Sequence, residues 1–518
     1  MIWVIPVSHF YHYNSLIQVV SNIRTNKNIM KLYNRYNHII FKILIFLVFI
    51  SSVFYKLNTV NSFSLSSDEI FSVSWAKNFD YQCLLKGYCF DGGNPPLHFV
   101  LLKSWFSLFG ASDFSARMLS IIFFSISFYF VYKISYKQLN FSKLNTLFSV
   151  LLFSWSSILS FYFIQARPYS LLIATSLAVF YSAHELIKNK KFDIKNYLIF
   201  YLFSIIGLYS HYSFIIYYII LFISLISISY KQKYLLKRLI LIFLLPSLLF
   251  IRWSEFYVRT QFFPETSYAY QYSFWQLDMT WKRLNQWISI LTNDLINISG
   301  HSTINTIISY LLFFPYQIYL FIIFLKSKNH IKKSASIFLI LISTLYLFSP
   351  LHNYFYHPRY LVFIIPFFYL SLFFIQIKNK NKFLILFYSL ILILFIRNKN
   401  SFIEIEDWKG LSNYLHNSNN ENSTIISEES YIPLVINYYY DGPTRVGCID
   451  NKKDSLDKCT IKQQEIKANS NFYYVTLNKQ DYISSKIIEE FKNIGFIRQN
   501  TLQFSSVTAI LFQKDEIK

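Results

Sequence analysis

Two adjacent carboxylates, Asp68 and Glu69, lie in the run Ser66-Ser67-Asp68-Glu69, just beyond the first long apolar stretch of the chain. A carboxylate beside a membrane surface can take the proton from an attacking hydroxyl, or bind a divalent ion that holds a phosphate. The same four residues also read as a helix N-cap ahead of Ile70, Val73 and Trp75. Three later segments carry potential cations: Gln165-Ala166-Arg167-Pro168-Tyr169, Tyr209-Ser210-His211-Tyr212 and His357-Pro358-Arg359-Tyr360. Each alone is more commonly a snorkelling arginine or an interfacial histidine. Together, on one side of a membrane, they would ring an outward cavity suited to an anionic lipid head group such as a phosphate or diphosphate.

The elements that must position these residues are membrane helices. Of 518 residues, 54% are hydrophobic and only 15% charged, and the mean hydropathy of +0.33 excludes an ordinary soluble domain. The net charge of +22 does not mark a nucleic-acid binder, because the basic residues cluster in short loops between apolar runs. About eleven such runs are expected to span: Ile39–Val60, Phe114–Tyr132, Leu144–Phe163, Tyr169–Leu186, Tyr197–Tyr209, Phe214–Ser229, Leu239–Trp253, Ile307–Leu325, Ala335–Leu351, Tyr360–Ile377 and Phe383–Ile396. The fifth is short.

Alternate loops are basic: Arg24–Lys42, Lys133–Lys143, Lys188–Lys195, Lys231–Arg238, Lys326–Lys333 and Lys378–Lys382. The positive-inside rule assigns these to the cytoplasm and puts Asn61–Asp113, Ser254–Thr303 and everything after Arg397 outside. An odd number of spans satisfies that arrangement. Cys83, Cys89, Cys448 and Cys459 all fall on the outward side, where local bridges Cys83 to Cys89 and Cys448 to Cys459 could form. Four free thiols are the alternative. Residues 1–38 read as a cytoplasmic N-terminal segment, in which 1–29 is a candidate extension because Met30 opens the basic stretch before the first span.

The first outward loop carries Gly87, Gly92, Gly93 and Gly110, four of the ten glycines, and is expected to be structured. After Asp91-Gly92-Gly93-Asn94-Pro95-Pro96, the residues Leu97, Val100, Leu101, Trp105 and Leu108 recur at helical spacing, as in an amphipathic helix on the membrane surface. Beyond Arg397 long apolar runs stop. Helices over Glu406–His416, Tyr431–Tyr440 and Ser484–Phe491 alternate with strands over Ser423–Ser427, Arg445–Ile449 and Asn471–Leu477, and a broken strand pair fills Phe496–Phe512. The expected fold is therefore a polytopic α-helical membrane protein, with a transmembrane domain over 39–397 and a small extracytoplasmic α/β domain over 398–518. The latter has no glycine-rich phosphate loop and no metal-ligand spacing.

Asp68-Glu69, Asn94-Pro95-Pro96-Leu97 leading to Trp105, Phe109-Gly110 and Arg117, then Gln165-Ala166-Arg167-Pro168-Tyr169, His211-Tyr212, His357-Pro358-Arg359-Tyr360 and Asp407-Trp408-Lys409-Gly410 together carry a family resemblance. The ordered set resembles the membrane-embedded glycosyltransferases of the C superfold, in the branch of glycosyltransferase family 39 and its protein O-mannosyltransferase, aminoarabinose transferase and rhizobial lipopolysaccharide transferase relatives. Such a resemblance implies a polyprenyl-phosphate-linked sugar donor and transfer of one monosaccharide on the extracytoplasmic face. It implies Asp68 as the base, with Glu69 supporting it or contacting the acceptor or a metal. Arg117, Arg167, His211, His357 and Arg359 become candidates for the leaving phosphate, with His98, Tyr169 and Tyr360 beside them as binding residues. No nucleotide site is needed, because the donor brings its own activated leaving group. The implied partners are membrane lipids, the lipid-linked donor and an envelope glycan, lipid or protein acceptor in a bacterial inner membrane, with no nucleic acid. Two departures stand out. Asn94-Pro95-Pro96 replaces the Glu-Lys-Pro of the aminoarabinose transferases, and the Trp-Trp-Asp-Tyr-Gly signature of oligosaccharyltransferases is missing. A lipid-glycan transporter and a membrane glycan polymerase are the rival readings. No repeated half supports the transporter.

Overall fold

A computed structural model of the protein describes residues 27–86, 95–188, 193–262, 302–348, 358–374, 406–418, 424–427, 431–442, 445–448, 466, 470–477 and 485–515. The first helix, α1, runs Lys27–Val60. The first outward loop then forms α2 (Ser67–Asn78), α3 (Tyr81–Lys86) and α4 (Leu97–Phe109). The membrane part continues with α5 (Asp113–Lys133), a π-helical turn over Ile134–Gln138, α6 (Lys143–Trp155), α7 (Ser157–Phe163), α8 (Tyr169–Lys188), α9 (Ile194–Leu208), α10 (Ser213–Ser229) and α11 (Lys233–Phe262). It resumes with α12 (Ser302–Lys326), α13 (His330–Phe348), a 3₁₀ segment over Pro358–Ile364 and α14 (Ile365–Ser371).

Polar caps set many of these boundaries. Ser112, Ser142, Ser156 and Asp193 each accept a hydrogen bond from the backbone N–H three residues on, which satisfies a donor that the first helical turn leaves open. Ser156 breaks the expected third span: Leu144–Phe163 is two helices bent by 57°. Among the described residues, four helices are long and apolar enough to cross a membrane alone, and five if the bent pair counts as one span. That is fewer than the eleven expected from apolar runs. Two of the expected spans are short, since α9 and α10 have 15 and 17 residues. At 1.5 Å per residue they cover roughly 22–26 Å, less than a bilayer core of about 30 Å, and must lean on neighbours. The run Phe383–Ile396 lies outside the described residues.

Helix α8 is the hub of the bundle. Its small residues Ser170, Ala174, Ala178, Ser182 and Ala183 are all buried, allowing close approach of neighbouring backbones. Helix α4 turns His98, Phe99 and Leu102 inward, while Leu108 and Phe109 at its end are exposed. The expected stripe of Leu97, Val100, Leu101 and Trp105 is the half-buried face. Gly110 ends the helix at φ +77°, a conformation that L side chains rarely adopt.

The C-terminal part contains α15 (Trp408–Asn417), α16 (Ile432–Tyr439) and α17 (Ser485–Asn493) with strands β1 (Thr424–Ser427), β2 (Arg445–Cys448), β3 (Asn471–Thr476), β4 (Phe496–Phe504) and β5 (Val507–Lys514). The strands form a mixed sheet in the order β2-β1-β3-β5-β4, with β1 parallel to both neighbours and β5 antiparallel to both of its own. Period-2 alternation divides its side chains. Phe472, Tyr474, Ile510 and Phe512 pack with Phe491 of α17 on one face. Ile425, Tyr473, Val475 and Ala509 face α15 and α16 in a core that also contains Ile70 and Val73 of α2, Leu102 of α4 and Ala166. The sheet is thus fused by one apolar core to the outward loop that carries the two carboxylates.

Candidate active site

Helix α2 brings Asp68 and Glu69 to its first turn and gives them different environments. Glu69 is 2% exposed. Its Oε1 accepts hydrogen bonds from Arg117 Nε at 2.9 Å and Ala166 N at 2.8 Å. Its Oε2 accepts from Arg117 Nη2 at 2.8 Å and from the N-cap residue, Ser66 N at 3.0 Å and Ser66 Oγ at 3.2 Å. The Arg117 guanidinium spends its remaining donors on the carbonyls of Val60, Phe63 and Ser64 at 2.7–2.9 Å. The pair is a buried joint tying α2, α5, the end of α1 and the loop before α8. This corrects two expectations. Arg117 has no donor left for a phosphate, and Glu69 caps the helix and neutralises Arg117 rather than standing open beside Asp68.

Asp68 is the more open of the two carboxylates. Its side chain is 46% exposed and meets Arg359 Nη1 at 2.5 Å and Arg167 Nη2 at 4.0 Å. Arg167 is almost buried, and its Nη1 also donates to the Asp68 carbonyl at 3.1 Å and to Ser72 Oγ at 2.9 Å, gripping the first turn of α2 from behind. Arg359 arrives from the 3₁₀ segment, with its side chain 28% exposed and its guanidinium 5.4 Å from the centre of the Tyr360 ring. The capping reading of Ser66-Ser67-Asp68-Glu69 holds for Ser66 and Glu69, and leaves the Asp68 side chain outside the cap.

Behind this ion cluster lies a layer of buried polar rings. Tyr169, 1% exposed, stands 5.6 Å from His211, which stands 5.5 Å from Tyr360. His98 Nε2 lies 3.4 Å from the Ala166 carbonyl. Among the described residues, His98 Nδ1, His211 Nε2, the Tyr169 hydroxyl and Arg359 Nε are buried without a hydrogen-bond partner. Polar atoms left open like this are expensive in a finished core and ordinary in a site awaiting a ligand. Burial, reinforced by Arg167, pushes both His98 and His211 down to about 3. Ser213 N donates to His211 Nδ1 at 3.1 Å, so the network assigns the proton of the neutral ring to Nε2. The expected ring of cations therefore reduces, among the described residues, to Arg167 and Arg359, with the histidines as neutral polar groups. His357 lies outside the described residues, and so do Cys89 and Cys459. Cys83 is disulfide-bonded.

The carboxylates do not fit a divalent ion. Both are neutralised by guanidiniums, and no group of three or more His, Cys, Asp or Glu side chains among the described residues could hold a metal.

No sequence motif singled out Glu406 or Asp113, yet both organise the site's frame. Glu406 Oε2 accepts from Ser67 N and Ser67 Oγ, each at 2.6 Å, and from Trp408 Nε1 at 2.7 Å. Asp113 accepts from Tyr438 and Tyr439 at 3.1 and 2.8 Å and pairs with Lys409 at 2.8 Å. The available signal was Asp407-Trp408-Lys409-Gly410, adjacent to one partner and containing the other.

The frame thus sets Asp68, on the first turn of α2, against Arg167 just before α8 and Arg359 of the 3₁₀ segment. Residues 93–253 match the family model described as dolichyl-phosphate-mannose-protein mannosyltransferase, a segment containing Arg117, Arg167, Tyr169 and His211. Among solved structures, ArnT from Cupriavidus metallidurans bound to undecaprenyl phosphate shares the fold with a TM-score of 0.56 at 8% identity, over 91% of this chain and 97% of that one. Its apo form matches at a TM-score of 0.49 and 9% identity, over 92% and 98% of the two chains. The Archaeoglobus fulgidus oligosaccharyltransferase matches at 0.43 and 9%, over 74% and 59%. No curated protein sequence matches the chain. The chain thus resembles the family 39-like glycosyltransferases of the C superfold, and the proteins it matches by family model and by fold are glycosyltransferases.

Proposed function

We propose that the protein transfers a monosaccharide from a polyprenyl-phosphate donor to a hydroxyl of an envelope glycolipid, polysaccharide or protein, on the outward face of a bacterial inner membrane. The observation that carries this reading is the half-exposed Asp68 carboxylate clasped by Arg359 and flanked by Arg167, in front of unpartnered buried polar atoms. The ArnT match, a protein seen with undecaprenyl phosphate, supports the donor class.

An aspartate held by guanidiniums is a weak base until one of them is drawn away. A donor phosphate supplies that pull, since arginine binds phosphate and carboxylate with the same fork of donors. Arg359, the more exposed of the two, turns to the phosphate and frees Asp68 as the acceptor arrives. Asp68 takes the proton of the acceptor hydroxyl, whose oxygen bonds to the anomeric carbon. The bond from that carbon to the phosphate oxygen breaks, and the polyprenyl phosphate leaves with its charge met by Arg359 and Arg167. The neutral Nε2–H of His211 and the Tyr169 hydroxyl can hydrogen-bond the phosphate or sugar without adding charge.

The test is transfer by purified protein in nanodiscs, using a panel of undecaprenyl-phosphate sugars and envelope acceptors. Asp68→Asn keeps shape and should lower turnover about 10²- to 10⁴-fold, the usual effect of losing a general base. Full activity of folded Asp68→Asn would remove the catalytic assignment.

A further inference from the structure

Glu406 stands at the entrance to the C-terminal sheet, 339 residues from the helix it touches. Its backbone bridges Ser505 beside β4, and Asp407 N donates to the Phe504 carbonyl at 3.4 Å, so its position is set by the sheet. The residues that follow hold the turn. Asp407 accepts from Gly410 N at 2.7 Å, and a Cβ at position 410 would lie 2.1 Å from Asp407 Oδ2, so a side chain there would displace the Asp407 carboxylate. Trp408 is buried and donates to Glu406, while Lys409 reaches Asp113 at the start of α5. The motif is thus a clasp with one arm on α5 and the other on α2.

The arm on α2 ends at its first residue. Helix N-termini leave backbone donors unsatisfied and carry a partial positive charge. Glu69 answers the N-cap donor from within the loop, whereas the donor of Ser67 is answered by Glu406. The Glu406 carbonyl takes the Ser64 hydroxyl at 2.6 Å, and the Tyr439 hydroxyl takes Leu65 N at 2.8 Å. Ser64, Leu65 and Ser67 are therefore pinned by the C-terminal part, and Asp68 is the next residue along.

We propose that Glu406 is a positioning residue for Asp68: the C-terminal domain, through the Glu406–Gly410 clasp, fixes the rotation and height of the first turn of α2 and so the carboxylate that takes the acceptor proton. This rests on the role of Asp68 proposed above. A misplacement on the order of 1 Å can cost about 100-fold in rate. Glu406→Ala should therefore lower kcat by about 10- to 100-fold. Affinity for undecaprenyl phosphate should change less than about threefold, because Arg167 and Arg359 keep their places. Glu406→Gln, which retains an acceptor oxygen for Ser67, should recover part of the loss.

The deciding measurement is a double-mutant cycle on the full-length protein in nanodiscs, read with a radiolabelled undecaprenyl-phosphate sugar that the wild type turns over. If Glu406 acts through Asp68, Glu406→Ala should add little to the defect of Asp68→Asn, whereas a general loss of structure multiplies the two defects. Wild-type kcat in Glu406→Ala, or multiplicative defects, would overturn the proposal while leaving the base reading standing. Full activity of Asp68→Asn would instead sink the base reading itself. If Glu406→Ala fails to insert, Glu406→Gln is carried through the same cycle with the same two outcomes.

Discussion

Replacing Glu69 with Gln separates the two adjacent carboxylates. In the structure the Glu69 oxygens receive two hydrogen bonds from Arg117, one from Ala166 N and two from Ser66. Gln leaves one oxygen to accept and turns an amide N–H₂ toward a site filled with donors. It also leaves the Arg117 charge, 4% exposed, without its counter-ion. Breaking a buried ion pair by removing one partner costs about 3–5 kcal/mol, and here the lost helix cap adds about 1 kcal/mol. Glu69→Gln should accordingly lower the thermal midpoint in nanodiscs markedly and reduce the yield of inserted protein, and Arg117→Gln should do the same. The two losses should not add, since either change breaks the same joint. Asp68→Asn should leave the midpoint near the wild-type value while turnover collapses. A Glu69→Gln protein as stable as wild type but inactive would refute this division of roles and return Glu69 to the chemistry.

Arg359→Ala should weaken undecaprenyl phosphate binding by about 10- to 150-fold, the equivalent of one charge-assisted hydrogen bond of about 1.5–3 kcal/mol; unchanged binding by calorimetry in nanodiscs would exclude Arg359 as a phosphate ligand. His98 and His211 are held down to about 3 by burial, below the ordinary value of about 6.5. The unfolded chain therefore binds protons that the folded one refuses, and stability present above about pH 6.5 should be lost as pH falls toward 3. Melting curves between pH 7 and pH 4 should show this decline, and His211→Gln should flatten it. On sidedness, an outward-applied thiol reagent should reach a cysteine placed in the Ser254–Thr303 loop and miss one placed near Lys190, and labelling near Lys190 would reverse the proposed topology.

The sequence alone determined what depends on local composition and short-range periodicity. Apolar runs too long for soluble helices specified a membrane bundle. A short continuous apolar run such as Phe472 to Val475 specified a strand of the C-terminal sheet, and a serine followed by carboxylates marked the start of α2. It also drew attention to Asp68, Arg167 and Arg359 as residues whose charge near a membrane needs a reason. What it left open was which charge meets which. Asp68 and Glu69 are neighbours in sequence, but successive residues on a helix point about 100° apart, so one faces the buried Arg117 and the other the open Arg359. Only the packing of α5 against the end of α1 decides that. His211 reads as a cation until burial of its ring beside Arg167 makes the neutral form cheaper, and the same effect holds His98 neutral. The contact between Glu406 and Ser67 bridges 339 positions. No local pattern encodes such a bond, because it exists only once the sheet has docked on the loop helices through a shared apolar core.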